Sequence, residues 1–201
     1  MSQIKLLHSG GNGVILAAPT SNPAADRTLR LPGDADGTIA TTANAGKILQ
    51  VVQTVKKDRT TIQSTTLVDI AGMSVTITPS SSSNKVLIRY CVSAFTNNQY
   101  WSMRLLRGSD STIFIGDQNP SATSQNRGSF GSFMSSYVDG RSVTQELLDS
   151  PNTTSATTYK LQAHTPYASS YIIGINSSPT LDNYTYMTNC VSTITAMEVA
   201  A

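Results

Sequence analysis

Charged residues are scarce in this chain of 201 residues. Asp, Glu, Lys and Arg together make up 13% of it, against roughly 25% in an average soluble domain. Only two glutamates and six lysines occur, so the residues that favour exposed helices are nearly missing. The net charge is +2 and the one basic cluster, Lys56–Arg59, is predicted to be a solvated turn. A nucleic-acid partner, which requires basic residues concentrated on one face, is not expected.

Long apolar runs and cysteines are also rare. No run approaches the roughly eighteen apolar residues of a membrane-spanning helix, and residues 1–8 lack the regions of a secretory signal. We therefore expect synthesis in the cytoplasm and no membrane insertion. The only cysteines are Cys91 and Cys190. Without export, two free buried thiols are favoured over a disulfide.

Hydroxyl and amide side chains are abundant instead. The chain has 27 serines, 26 threonines and 12 asparagines, a composition that favours strands and turns. After residue 46, apolar and polar residues alternate with a period of two in runs separated by turn signals. This pattern predicts an all-β fold, an antiparallel β-sandwich of the jelly-roll type with nine or ten strands. The predicted strands cover residues 47–55, 60–70, 73–78, 85–95, 100–107, 111–116, 143–148, 155–164, 171–176 and 191–199.

Two parts of this pattern lead to more detailed expectations. The run 85–95 has apolar residues on both faces and is predicted to be central in its sheet. The polar, glycine-bearing residues 117–136 fit either an exposed loop or a strand whose small residues make a tight contact. Leu87, Phe95 and Phe114 are candidates for an interface between copies, with ordinary core as the favoured interpretation.

Residues 10–42 have a different organisation. Short apolar runs at 14–16, 29–31 and 38–40 alternate with turn-forming Gly, Pro, Asn and Asp. Each run is long enough for one short strand, and an isolated hairpin is only marginally stable in water. This segment needs a partner, and copies of itself are the simplest one. The sequence predicts a stem over residues 1–45, a globular head over residues 46–201, and an obligate oligomer.

The stem and head together resemble a known class of proteins. GNGVILAAP (residues 11–19) and ADRTLRLPGDADGTIATT (residues 25–42) are similar to the repeat near the N-terminal region of many bacteriophage tail-fibre proteins. The remainder resembles the small jelly-roll head that follows it, with the trimeric architecture of tumour necrosis factor and C1q. The head segments that match are 73–79, 82–88, 105–108, 148–151, 158–162 and 194–198.

The resemblance implies a homotrimeric structural protein of the virion. Its N-terminal region would dock onto another virion protein, and its C-terminal head would bind a glycan or protein of the host cell surface during adsorption. The chain is short for a long tail fibre, so a capsid decoration or head-fibre protein with a purely structural role is the alternative. A glycan-depolymerising spike is the third interpretation.

Residues able to support catalysis are few. Glycosidases use paired carboxylates, and the nearest candidates are Glu146, Asp149 and Glu198. Glu146 is expected on a solvent-facing strand, and Glu198 in an ion pair or at a rim. His8 and His164 are the only histidines, and His164 is expected at the surface. The turn Asp34–Gly37 lacks the bidentate glutamate of a calcium loop. We expect no enzyme activity, cofactor or metal site.

Recognition of a host surface is the remaining possibility, and aromatic and amide side chains are its candidates. Tyr184 and Tyr186, with Asn183, lie in a turn-rich segment suited to sugar binding. Trp101, beside Tyr100, is the other candidate. Because Trp101 alternates with Met103 and Leu105, a core position is the favoured interpretation for it.

Overall fold

The computed structural model describes residues 3–7, 10, 13–17, 47–96, 99–108, 111–114, 128–134, 140–168, 170–178, 185 and 188–201. The chain divides into two compact units, Met1–Ala45 and Gly46–Ala201. Every regular element among the described residues is a β-strand, and this part of the chain contains no helix. The predicted all-β fold is confirmed.

The first unit contains one described hairpin. Strand β1 (Gln3–Leu7) pairs antiparallel with β2 (Gly13–Ala17), so that Leu7 lies opposite Gly13. The apolar run at 14–16 lies in β2 as predicted, whereas β1 was not predicted. The other two predicted stem strands, 29–31 and 38–40, lie outside the described residues.

The second unit consists of two antiparallel sheets. In the first sheet, β6 lies between β13 and β10, β3 pairs with β13, and β12 joins β6 to β4. In the second sheet, β11 lies between β5 and β7, which also pairs with β8 and β9. The strands of the first sheet are β3 (Ile48–Lys56), β4 (Thr60–Ile62), β6 (Lys85–Thr96), β10 (Gly140–Asp149), β12 (Ile173–Ile175) and β13 (Ser192–Val199). Those of the second are β5 (Val68–Ile77), β7 (Gln99–Arg107), β8 (Ser111–Phe114), β9 (Phe130–Met134) and β11 (Thr157–His164).

The core lies between the two sheets and follows the predicted alternation. Strand β6 is central, and every second residue from Val86 to Ala94 is buried. Facing it from the second sheet, β7 and β11 each contribute alternate apolar side chains. These are Trp101, Met103, Leu105, Tyr159, Leu161 and Ala163. The two-sheet sandwich therefore buries one apolar face of each sheet.

The sandwich has two distinct ends. The unit's first strand starts at the end where β6 begins, because Val199 lies opposite both Ile48 and Lys85. There the carbonyl oxygen of Lys47 accepts a hydrogen bond from the Ala200 amide at 2.8 Å. We call this the entry end. The opposite end, where β6 finishes, is the far end, and the two are separated by the length of β6, roughly 36 Å.

Two connections at the far end cross from one sheet to the other. Residues 63–67 lead from β4 to β5, and residues 165–172 lead from β11 to β12. The sequence predicted an unbroken strand over 60–70, and this prediction is wrong. The Ser64 hydroxyl donates to the Thr66 carbonyl at 2.7 Å and accepts from the Thr66 amide at 3.2 Å. Such local bonds compete with strand pairing, and the chain leaves the sheet there.

Strand β5 then continues through a position at which the sequence predicted a break. Gly72 has a φ of +78°, and the pairing of β5 with β11 shifts register around it, between Lys160 and Gln162. A glycine accepts this backbone conformation without a steric penalty. It allows extra residues to bulge out of β5 while the strand continues on both sides.

A close backbone contact explains the small residues near position 130. The Ser129 amide donates to the Met103 carbonyl oxygen at 2.7 Å. A side chain at Gly128 would place its Cβ 2.6 Å from that same oxygen. In the described portion of 117–136, residues 130–134 form strand β9, and the tight contact of small residues lies immediately before it, at Gly128 and Ser129.

Candidate functional site

Three tyrosines form a surface at the far end of the sandwich. The rings of Tyr100 and Tyr167 lie 6.2 Å apart at an interplanar angle of 53°. Tyr167 also stacks on Tyr171, with centroids 5.9 Å apart and an angle of 11°. Tyr167 is 70% exposed and Tyr100 is 49% exposed, so both side chains are accessible to solvent. We call Tyr100, Tyr167 and Tyr171 the tyrosine surface.

Buried hydrogen bonds hold the loop of the tyrosine surface in place. The amide of Thr165 donates to the Ser64 carbonyl at 2.8 Å. Its buried hydroxyl lies within hydrogen-bond distance of the carbonyls of Ser64, Ala168 and Tyr171. The two far-end connections are therefore joined to each other, and the turn that bears Tyr167 is fixed to the sandwich.

The histidine next to this loop is covered by the other connection, residues 63–67. His164 is buried, and its Nδ1 lies 3.1 Å from the Thr65 carbonyl oxygen. The expectation of a surface histidine is wrong. Alternation along β11 correctly places His164 on the outward side of the sheet, but the connection 63–67 folds over that side. A crossover between sheets is a tertiary feature that alternation along one strand does not report.

The two connections at the far end are hydroxyl-rich and uncharged in sequence. Segments 63–67 and 165–172, Gln-Ser-Thr-Thr-Leu and Thr-Pro-Tyr-Ala-Ser-Ser-Tyr-Ile, contain no Asp, Glu, Lys or Arg. Such a surface offers flat apolar rings beside neutral hydrogen-bonding groups. This combination suits a ligand with both C–H faces and hydroxyl edges.

Of the four predicted binding residues, one is buried and three lie outside the described residues. Trp101 is 1% exposed and packs against Phe130 with centroids 5.2 Å apart, so it belongs to the core and is not a surface contact. Its indole Nε1 has no hydrogen-bond partner among the described residues. Asn183, Tyr184 and Tyr186 lie outside the described residues.

Sequence reasoning considered Tyr100 only beside Trp101 and missed Tyr167 and Tyr171. The available signal was the pair of tyrosines, four residues apart, in a segment with proline and serine. That signal is weak because nothing in the sequence shows that the loop after β11 meets the start of β7. Pairing of His164 with Ser102 creates that proximity.

A second exposed feature is an apolar row across the outward face of the first sheet. Val51 lies opposite Met197, Met197 opposite Leu87, and Leu87 opposite Leu148. Directly opposed residues share a face of a sheet. Val51 is 58% exposed, Leu148 is 47% exposed, and the other two are half-buried. We call these four residues the apolar row. Leu87 thus lies outside the core that the sequence favoured for it.

The acidic residues considered as catalytic candidates do not share hydrogen-bond partners. Glu198 is buried and accepts hydrogen bonds from the Ser80 amide at 2.6 Å, the Ser80 hydroxyl at 2.7 Å and the Asn84 side chain at 2.6 Å. Burial raises the pKa of Glu198, but these hydrogen bonds outweigh it and leave the pKa below its ordinary value. The expected ion pair or rim position is therefore wrong, and Glu146 is exposed as predicted.

Asp149 connects the two sheets. Both of its carboxylate oxygens accept from Arg107 Nη1, at 2.9 and 2.8 Å, and one also accepts from the Tyr159 hydroxyl at 2.8 Å. Burial and this carboxylate raise the pKa of Tyr159 far above its ordinary value. The cluster joins β10 of the first sheet to β7 and β11 of the second.

Asn176 organises the segment after β12. It is buried with a φ of +69°, and its Nδ2 donates to the carbonyls of Lys56 and Asp58 at 2.9 and 3.0 Å. Its Oδ1 accepts from the Ser192 hydroxyl at 2.6 Å. Lys56 itself is buried, with Nζ 2.6 Å from Asp58, so the predicted solvated turn applies only to residues 57–59.

The remaining sequence expectations concern metals, thiols and membranes. Within the described ranges, no three His, Cys, Asp or Glu side chains cluster closely enough to hold a metal ion. Cys91 and Cys190 are both free and half-buried. Among those residues, no helix has the length and apolar character needed to cross a membrane.

Comparison with known proteins gives a weak structural likeness. No protein-family description matches the chain, and no curated protein is similar to it in sequence. Among solved structures, the tripod from the baseplate of bacteriophage Tuc2009 is similar with a TM-score of 0.25 and 10% sequence identity. That likeness covers 98% of this chain and 84% of the other. It is too low for conclusions about fold or function.

Proposed function

We propose that this chain is a structural protein of a bacteriophage virion, a homotrimeric tail fibre whose head binds the host cell surface during adsorption. The stem pattern in residues 11–42, which resembles tail-fibre repeats, supports the assignment to this class. The observation that supports the role of the head is that the two ends of its sandwich differ. Lys47 lies at the entry end and the tyrosine surface at the far end.

In this proposal the far end of the head, at the opposite end of the sandwich from Lys47, is the surface that meets the host cell. Loops at the end of a rigid β scaffold are where recognition residues are commonly found. In this head the far end bears the exposed aromatic side chains Tyr100 and Tyr167, whereas the body between the ends contains a buried apolar core. Weak binding by each head becomes strong when several heads act together.

The apolar row supports assembly of the head with copies of itself. Four apolar side chains aligned across four strands form a larger exposed apolar feature than isolated surface residues do. The order of strands, with β6 between β13 and β10 and β11 between β5 and β7, supports a jelly-roll head of the trimeric kind. In this proposal a neighbouring copy covers the row.

A binding role is proposed in preference to catalysis. Glu198 and Asp149 both lie opposite Val86, on the strands that flank β6. Each is held by its own hydrogen-bond donors, which stabilise the native fold. Neither is left to act as a paired acid and base in the arrangement that glycosidases use. Incubation of the full chain with host surface polysaccharide should release no reducing ends.

Locating the protein on the particle tests the proposal. Cryo-electron microscopy of the phage should show trimeric density at the tail, and purified full-length protein should compete with phage for adsorption to host cells. Absence of the chain from the virion, or no binding of the purified protein to cells, would contradict the proposal.

A capsid decoration or head-fibre protein is the second candidate. The apolar row favours it as well, because a flat apolar sheet face also suits packing against another virion protein. Density on the capsid, together with normal adsorption of particles that lack the protein, would select this candidate.

A further inference from the structure

We propose that the tyrosine surface is a saccharide-binding site, in which Tyr100 and Tyr167 stack against sugar rings of the host cell surface. This inference rests on the proposed function and specifies the ligand of the far end. In this inference the sugar-binding residues are the exposed Tyr100 and Tyr167, and not the buried Trp101 that the sequence suggested.

The geometry of the rings fits a sugar. Tyr167 and Tyr171 are nearly parallel, and Tyr100 is tilted against Tyr167 at 53°. Two exposed rings inclined to each other offer two neighbouring aromatic contacts to a saccharide. The C–H bonds on the face of a sugar pack against an aromatic ring, whose face has partial negative charge.

The side chains of the far-end loops are also appropriate to a sugar. Sugar hydroxyls need hydrogen-bonding partners, and the exposed Thr65 and Thr66 lie in the loop that is joined to the tyrosine loop through Thr165. Neither loop has a charged residue. Protein interfaces are enriched in tyrosine and also in arginine. The lack of arginine in both loops, together with their hydroxyl groups, favours a saccharide.

The rigidity of the loop reduces the cost of binding. Thr165 fixes the turn that bears Tyr167 by contacts with Ser64, Ala168 and Tyr171. A tyrosine has only two side-chain torsions, and here ring contacts restrict them before any ligand arrives. Preorganised groups lose less entropy when a ligand binds.

The experiment compares two double variants of the full chain. Tyr100→Ala with Tyr167→Ala removes both ring planes, and Tyr100→Phe with Tyr167→Phe keeps the planes and removes only the hydroxyls. Val191→Ala is the matched control, because Val191 is an exposed apolar residue that precedes β13 and lies outside the tyrosine surface. Both tyrosines are largely exposed, so the variants should fold, which thermal unfolding would verify.

Binding is measured on a printed array of bacterial lipopolysaccharides, capsular polysaccharides and cell-wall polysaccharides, and on host cells. We expect the alanine variant to bind about tenfold to a hundredfold more weakly, and the phenylalanine variant and the control to bind like the wild type. Periodate oxidation of cell-surface sugars should abolish adsorption of the protein, and protease treatment of the cells should not.

Several results would overturn the inference while leaving the proposed function intact. These are adsorption to cells that the alanine variant retains, equal losses in the alanine and phenylalanine variants, no binding to any polysaccharide of the array, or adsorption lost after protease but retained after periodate. A chain that binds no host cell at all would contradict both proposals.

Discussion

At the scale of single residues, buried polar side chains in this protein are held mainly by neutral hydrogen-bond partners. Asn176 satisfies carbonyls from two different residues and is itself bonded to Ser192. Glu198 is surrounded by Ser80 and Asn84. Removing one side chain from such a site leaves a buried donor or acceptor without a partner. The free-energy cost of that unpaired group exceeds the net stabilisation that the hydrogen bond provided.

Replacing Asn176 with alanine should destabilise the head strongly. The Lys56 and Asp58 carbonyls would lose their donor, and alanine would be forced into a left-handed backbone conformation. Together these effects should lower the free energy of unfolding by about 3 kcal/mol. Urea unfolding, followed by fluorescence of the single tryptophan, Trp101, measures this change.

Asn152→Ala is the matched control for Asn176→Ala. Asn152 has a similar φ of +54° but is exposed, so only the backbone cost of about 1 kcal/mol should remain. Equal losses in the two variants would contradict a structural role for the Asn176 side chain.

Glu198 should give the protein a pH-dependent stability. Its pKa in the folded protein lies below the ordinary value of 4.5, so its contribution is complete above that value and is lost as pH falls through the lowered pKa. Glu198→Gln should reduce the free energy of unfolding by about 1–2 kcal/mol at neutral pH, because bonds to a charged acceptor are stronger.

The difference between wild type and Glu198→Gln should shrink as the pH is lowered, because the protonated wild type then resembles the variant. Urea unfolding at a series of pH values tests this. Glu146→Gln, at an exposed position, should give no such difference at any pH. A difference for Glu198→Gln that stays constant down to the lowest pH would contradict the assignment.

At the scale of elements, the two sheets are joined by polar as well as apolar contacts. Arg107 of β7 and Tyr159 of β11 both bind Asp149, at the end of β10. The Tyr159 ring also forms part of the core. The cluster therefore fixes the end of one sheet against the other.

Tyr159→Phe should weaken the link between the sheets without opening a cavity. The variant keeps the ring and removes one hydrogen bond to a carboxylate, so the expected loss in unfolding free energy is about 1.5 kcal/mol. Thermal unfolding provides the measurement. Tyr167→Phe, at an exposed ring, is the control and should leave stability unchanged; a loss there as large as for Tyr159→Phe would contradict the explanation.

Prediction from sequence succeeded where one strand is amphipathic and failed where strands change sheets. In β7 and β11 the alternation correctly identified the buried face, because burial of one face is set by side chains two residues apart. Over residues 60–70 the same alternation continues across a crossover between β4 and β5, which belong to different sheets. The hydrogen bonds of Ser64 and Thr165 hold the chain where it leaves the first sheet. Burial of His164 was missed for the same reason.

At the scale of the whole molecule, the apolar row is the feature that best fits assembly with other copies. Val51, Met197, Leu87 and Leu148 come from four different strands. An assembly in which a partner covers such a row is stabilised, because burying apolar surface is favourable.

Val51→Lys with Leu148→Lys should dissociate the proposed trimer, because two charges would have to be buried without partners at each interface. Sedimentation velocity should show a shift from trimer to monomer. Val191→Lys with Val68→Lys, which also replaces two exposed valines but outside the row, should remain a trimer. A trimer that persists in the double variant of the row would show that another surface holds the copies together.

The sequence by itself determined the all-β class, the central position of β6 and the buried faces of β7 and β11. These follow from composition and from a period of two, both of which are local properties. Tertiary structure decided which surfaces are available for binding. Trp101, an aromatic candidate in the sequence, is enclosed by the sheets, while Tyr100, Tyr167 and Tyr171 meet because β11 pairs with β7. Proximity between residues far apart in the chain depends on register and crossovers, which single-strand patterns do not specify.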